Sequence, residues 1–132
     1  MNKIEHIGIA VKDLKTANTV YEALLGAAPY KLEVVESEGV STSFFKVGES
    51  KIELLEASYA DSPIAKFIDK RGEGIHHIAY EVTDIHAERE RLIRQGFQAI
   101  GQVRQGADNK LVCFFHPKTT HGVLVELCQE RS

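Results

Sequence analysis

The sequence predicts an α+β fold: two βαβββ modules forming a cupped, mostly antiparallel sheet around a metal site. Three observations predict it. The stretch Ile4-Glu5-His6-Ile7-Gly8-Ile9-Ala10-Val11 returns as Ile75-His76-His77-Ile78-Ala79-Tyr80-Glu81-Val82, and both copies continue into an aspartate, Asp13 and Asp84. Each copy then runs through a charged stretch to a glycine, Gly26 and Gly96. Each half also ends in an apolar run that encloses one acid, Glu53 between Ile52 and Leu54 and Glu126 between Val125 and Leu127.

The 132 residues make one domain, with a first module over about 1–60, a linker helix over about 61–73 and a second module over about 74–132. The first strand, Ile4 to Val11, alternates: Ile7, Ile9 and Val11 point one way, His6, Gly8 and Ala10 the other. Asp13 is placed to cap a helix from Leu14 to Leu25 that Gly26 closes, with Ala17, Val20, Tyr21 and Leu24 as its apolar stripe. Strands follow over 30–35, 41–47 and 50–56, the last two joined by a turn at Gly48-Glu49. Ser62 and Pro63 open the linker helix, which runs to Arg71. The second module repeats the plan: a strand over 75–82, a helix from Asp84 to Gln95, and strands over 99–105, 111–115 and 122–128.

The bulk composition excludes several functions. Apolar residues are 43% and charged residues 27%, with a net charge of -3, so no basic footprint for nucleic acid exists. No apolar run approaches the ~18 residues that a membrane span needs. The N-terminus enters a strand pattern directly, so no signal peptide is expected. Cys113 and Cys128 lack metal-binding spacing and sit in apolar runs, which fits reduced thiols in a cytoplasmic protein.

The repeat brings chemistry with it. His77 follows His6 by 71 positions and Glu126 follows Glu53 by 73. A duplicated fold that repeats a histidine and a glutamate can gather four ligands around one pseudo-two-fold axis. The expected metal ligands are therefore His6, Glu53, His77 and Glu126. Two imidazoles and two carboxylates suit a borderline or hard divalent ion with two positions left for water or substrate. His76 is the rival of His77, but register with His6 puts His76 on the opposite strand face. His86 belongs to a helix, and His116 and His121 flank a loop.

These residues resemble the vicinal oxygen chelate superfamily and, within it, the methylmalonyl-CoA epimerases. The resemblance rests on His6 to Val11, Lys51 to Glu56, Asp61 to Phe67, Gly72 to Ala79, and His116-Pro117-Lys118 with Gly122 to Leu127. It covers nearly the whole chain, and the family's ligand positions fall on the same four residues. It implies epimerisation at C2 of methylmalonyl-CoA by proton transfer through a stabilised enolate, for which the duplication offers Glu126 and Glu53 as the catalytic bases. Glu81 is an outside candidate for that role. It further implies one divalent ion (cobalt first, with nickel, manganese, zinc or magnesium as alternatives), an acyl-CoA substrate and a homodimer. Lys118, Lys66 and Lys70 are candidates for the CoA phosphates. One departure is Thr42, at a position where some epimerases carry a catalytic glutamate. The competing readings are a glyoxalase I-like lactoylglutathione lyase, an extradiol-type dioxygenase, for which Glu53 would be surplus, and a non-enzymatic ligand-binding protein of the same fold.

Overall fold

Alternating apolar residues make the strands here, and capped amphipathic segments make the helices. The computed structural model describes residues 1–131. The elements in chain order are β1 (Lys3–Ala10), α1 (Leu14–Leu25), β2 (Lys31–Val35), β3 (Val40–Val47), β4 (Ser50–Ala57), α2 (Pro63–Arg71), β5 (Gly74–Glu81), α3 (Ile85–Arg94), β6 (Ala99–Gln105), β7 (Lys110–Phe115) and β8 (Leu124–Glu130). This is the expected βαβββ, helix, βαβββ order, and the class is α+β. Single turns of 3-10 helix at Glu36–Glu38, Ala107–Asn109 and Pro117–Thr119 were not foreseen, because one turn is too short to leave a periodicity. β8 starts at Leu124 rather than Gly122, which holds a φ of 94°.

The chain divides into two compact units, Ile7–His76 and Met1–His6 with His77–Ser132. In the first unit the strand order is β2-β3-β4-β1. β3 pairs with both neighbours in antiparallel register, with Phe44 opposite Glu53 and Thr42 opposite Leu55. Cross-strand partners share a face, so Thr42, Phe44, Glu53 and Leu55 look one way and Phe45 and Leu54 the other. α1 covers the second face, packing Leu14, Ala17, Tyr21 and Leu25 on Val11, Phe45 and Leu54. Burying a side chain such as Phe45 or Leu54 contributes about 2–3 kcal/mol. The stripe expected on α1 needs correction, since Val20 and Leu24 are 56% and 70% exposed. Both sets of residues satisfy a helical repeat, and the angle at which the helix meets its sheet selects the arc through Leu14 and Leu25. Gly26 caps α1 with a φ of 76°, as expected. Asp13 stands at the N-cap without capping a backbone N–H; its carboxylate accepts from the Thr16 hydroxyl. On the other face α2 lays Ile64, Phe67 and Ile68 against Ala10, Val40 and Leu55. Ser62 caps α2 by accepting from the Ala65 N–H at 3.2 Å.

The second unit runs β1-β5-β8-β7-β6. The Asn2 N–H donates to the Glu81 carbonyl (2.8 Å) beside the start of β1. β5 and β8 are parallel, with Ala79 opposite Glu126, while β7 pairs with β8 in antiparallel register and sets Phe114 opposite Glu126. α3, capped by Asp84 on the Ala87 N–H (3.1 Å), covers one face. There Ile85 and Leu92 join Val82, Cys113, Phe115 and Leu127. The other face carries Ala79, Val112, Phe114 and Cys128.

Each unit repeats one backbone detail. The Val11 N–H donates to the Leu55 carbonyl at 2.9 Å, and the Val82 N–H donates to the Cys128 carbonyl at 2.9 Å. Val82 lies 71 positions after Val11 and Cys128 lies 73 after Leu55, the separations that relate the two histidines and the two glutamates. Among the described residues no helix is long and apolar enough to cross a membrane.

Candidate metal centre

β1, β5 and β8 each present one buried polar side chain to the same point. His6, His77 and Glu126 are only 4–5% exposed. His6 Nε2 and His77 Nε2 are 3.0 Å apart, and Glu126 Oε1 lies 3.0 Å from His77 Nε2 and 3.4 Å from His6 Nε2. The two imidazole rings stand nearly perpendicular, at 86°. Ala79 of β5 lies opposite Glu126, and the Phe114 ring packs edge-on against His77 with centroids 6.2 Å apart.

Three electron-rich atoms this close repel one another unless positive charge lies among them. Ligands of a small divalent ion sit about 2.0–2.1 Å from it, which puts neighbouring donors roughly 3.0–3.4 Å apart for octahedral or tetrahedral geometry. The observed separations match, so this donor set fits such an ion. Burial alone would push the Glu126 carboxyl up. The charge on His6 and hydrogen bonds from His6 and His77 outweigh it and hold Glu126 well below the usual carboxylate range. Glu126 is therefore an ionised donor at neutral pH.

A second buried acid touches this cluster. Glu5, 1% exposed, has Oε1 2.7 Å from His6 Nδ1. An ionised carboxylate only accepts, so the imidazole Nδ1–H donates, and Nε2, the atom facing His77 and Glu126, is the nitrogen left to meet an ion. Sequence reasoning missed Glu5. Its one signal is an acid directly before the strand histidine, where the second copy has His76.

Glu53 belongs to the other unit. There it is 5% exposed, on the β4 face shared with Phe44 and Leu55. Thr42 lies on that face, opposite Leu55, and its buried hydroxyl has no hydrogen-bond partner among the described residues. His76 packs edge-on against Phe67 of α2, centroids 4.9 Å apart. His116 Nδ1 accepts from the Lys118 N–H (3.1 Å) and so caps the turn at Pro117–Thr119. His86 and His121 are exposed, as are Lys66, Lys70 and Lys118, while Glu81 is half-buried. Cys113 and Cys128 are fully buried thiols, and burial pushes the Cys113 thiol up to about 11.

Comparison with known proteins places these features in context. A family model described as "Glyoxalase/Bleomycin resistance protein/Dioxygenase superfamily" matches residues 5–114. The ethylmalonyl-CoA/methylmalonyl-CoA epimerase of Cereibacter sphaeroides is 42% identical over 98% of this chain and 98% of its own length. The uncharacterized protein YqjC of Bacillus subtilis is 43% identical over 99% of this chain and 94% of its own. Among solved structures, a Streptomyces coelicolor methylmalonyl-CoA epimerase variant in complex with 2-nitronate-propionyl-CoA superimposes with a TM-score of 0.95. It is 34% identical and covers 100% of this chain and 99% of its own.

Proposed function

Because the chain belongs to the glyoxalase/bleomycin resistance protein/dioxygenase superfamily, we propose that it is a metal-dependent epimerase acting at C2 of methylmalonyl-CoA. The observation that carries the proposal is the convergence of His6, His77 and Glu126 in a chain that matches an acyl-CoA epimerase over nearly its full length. A solved relative that binds an acyl-CoA analogue supports an acyl-CoA substrate.

We assign His6, His77, Glu126 and, from the register of the repeat, Glu53 as ligands of one divalent ion, with cobalt the first choice for reconstitution. When bound, that ion supplies positive charge to stabilise the charge developing on the thioester oxygen as the C2 proton leaves. The proton lies between a thioester and a carboxylate, so the substrate supplies much of the acidity itself. Epimerisation needs removal on one face and return on the other, and we assign those roles to Glu126 and Glu53. Glu126, held below the usual carboxylate range, is ionised and so free to take up a proton. Thr42 stands where some epimerases carry a catalytic glutamate. A threonine hydroxyl does not take up a proton near neutral pH, which turns the search for the second base toward Glu53.

We extend the proposal to a homodimer, to be checked by light scattering. Two buried thiols support a reducing, cytoplasmic setting. The deciding assay is proton NMR of methylmalonyl-CoA in deuterated water with cobalt-reconstituted protein. The proposal expects catalytic loss of the C2 proton signal and interconversion of the epimers. No exchange above the uncatalysed rate, with turnover of methylglyoxal and glutathione instead, would replace it with the lyase reading.

A further inference from the structure

The two histidines of the cluster occupy matching positions in the repeat, yet their preceding residues differ in kind: Glu5 before His6 and His76 before His77. The second of these packs on Phe67, while the first sends a carboxylate to His6 Nδ1 at 2.7 Å. Glu5 is buried to 1% exposure, and a carboxylate taken that far from water is costly unless it is well paired. Side-chain volume alone would be filled more cheaply by an apolar residue. The position of the acid therefore calls for a role that an apolar residue cannot supply.

We propose that Glu5 is a positioning residue: it fixes the tautomer and ring orientation of His6, so that Nε2 meets the ion as a preformed donor. This rests on the metal-site reading above and deepens it by assigning a residue outside the ligand set. Three physical consequences follow. A hydrogen bond from Nδ1–H to a carboxylate raises the donor strength of the opposite ring nitrogen. It also fixes the ring before the ion arrives, which removes an ordering cost from binding. Finally, it keeps Nδ1 engaged. The Cys128 sulfur lies with the Glu5 and His6 donor atoms inside a 4.8 Å cluster, which a ring turned the other way would offer to a thiophilic ion. Glu5 thus directs His6 toward the nitrogen and oxygen donors of His77 and Glu126.

The test compares wild type with Glu5→Gln, an isostere that can accept only a weaker bond, and Glu5→Met, which fills the space without accepting. Long-range nitrogen-15 NMR of the metal-free proteins reads the His6 tautomer. Calorimetric titration with cobalt and with zinc reads affinity, and thermal melts read stability. The expected result is an Nδ1-protonated His6 in wild type and loss of that preference in Glu5→Met. Cobalt affinity should fall about tenfold in Glu5→Gln and up to about a hundredfold in Glu5→Met, with melting unchanged or raised. Cobalt affinity unchanged in both folded variants would overturn the proposal, as would a wild-type His6 protonated on Nε2. Affinity that falls only in step with the melting temperature would also overturn it, because it would mark Glu5 as structural. Wild type that binds neither metal would sink the metal-site reading instead, and the His6 tautomer would still decide whether Glu5 holds the ring.

Discussion

Replacing Glu126 with glutamine removes one charge and almost no volume, which makes it a sharp probe of the cluster. Its Oε1 faces two imidazole nitrogens at 3.0 and 3.4 Å from a site only 5% exposed. A unit charge pair at 3 Å with an effective dielectric constant near 20 is worth about 5 kcal/mol before desolvation is subtracted. Breaking a buried, hydrogen-bonded charge interaction typically costs about 2–5 kcal/mol. At 1.4 kcal/mol per tenfold, the Glu126→Gln variant should bind cobalt roughly thirtyfold to several thousandfold more weakly than wild type. Calorimetric titration after dialysis against chelator, with elemental analysis for stoichiometry, measures this directly. Circular dichroism checks that the variant is folded. A folded variant whose cobalt affinity stays within about threefold of wild type would refute both the donor assignment and the charge argument behind it. The same protein separates ligand from base, since one that binds metal normally and retains full exchange at C2 would remove Glu126 from the proton transfer.

Three further outcomes are expected. His77→Ala should lower metal stoichiometry while His76→Ala leaves it unchanged, because His76 packs on Phe67 rather than on the donor cluster; elemental analysis of both reads the difference. Cys113, raised from 9.0 to about 11, should hold about a hundredfold less thiolate near pH 8 than an unshifted thiol and resist iodoacetamide. Folding favours its neutral form, so that contribution is intact below pH 9 and declines as pH rises toward 11, which melts of wild type and Cys113→Ala across that range will register. Ser62→Ala removes the acceptor for the Ala65 N–H and should cost about 1 kcal/mol, or roughly 3–5 °C in Tm, by differential scanning calorimetry.

Much of the fold was legible because its signals are local. Ser62-Pro63 and Asp84 announce helix starts through their own side chains, and Gly26 ends α1 through its own backbone freedom. The repeat supplied the strand phases, so the face of β5 that carries His77 could be read by setting it beside β1. Where local signals were ambiguous, reading failed in an understandable way. Both arcs of α1 fit a helical repeat, and nothing within twelve residues tells Val20 and Leu24 from Leu14 and Leu25. Asp13 has the chemistry of a cap, but its carboxylate is taken by Thr16.

The sequence by itself determined the element order, the duplication, and the histidine and glutamate that each copy repeats. These follow from periodicity and capping, which act over a few residues, and from a repeat that can be aligned with itself. Only the tertiary structure decided that His6, His77 and Glu126 converge to within about 3 Å of one another, that His76 turns to Phe67, and that Glu5 reaches the far nitrogen of His6. Those contacts depend on strand pairing and side-chain rotamers that join residues distant in the chain or on neighbouring strand positions. Strand alternation assigns neighbours to opposite faces, so it would have sent Glu5 away from His6; a long, flexible side chain in a buried setting reaches the imidazole all the same.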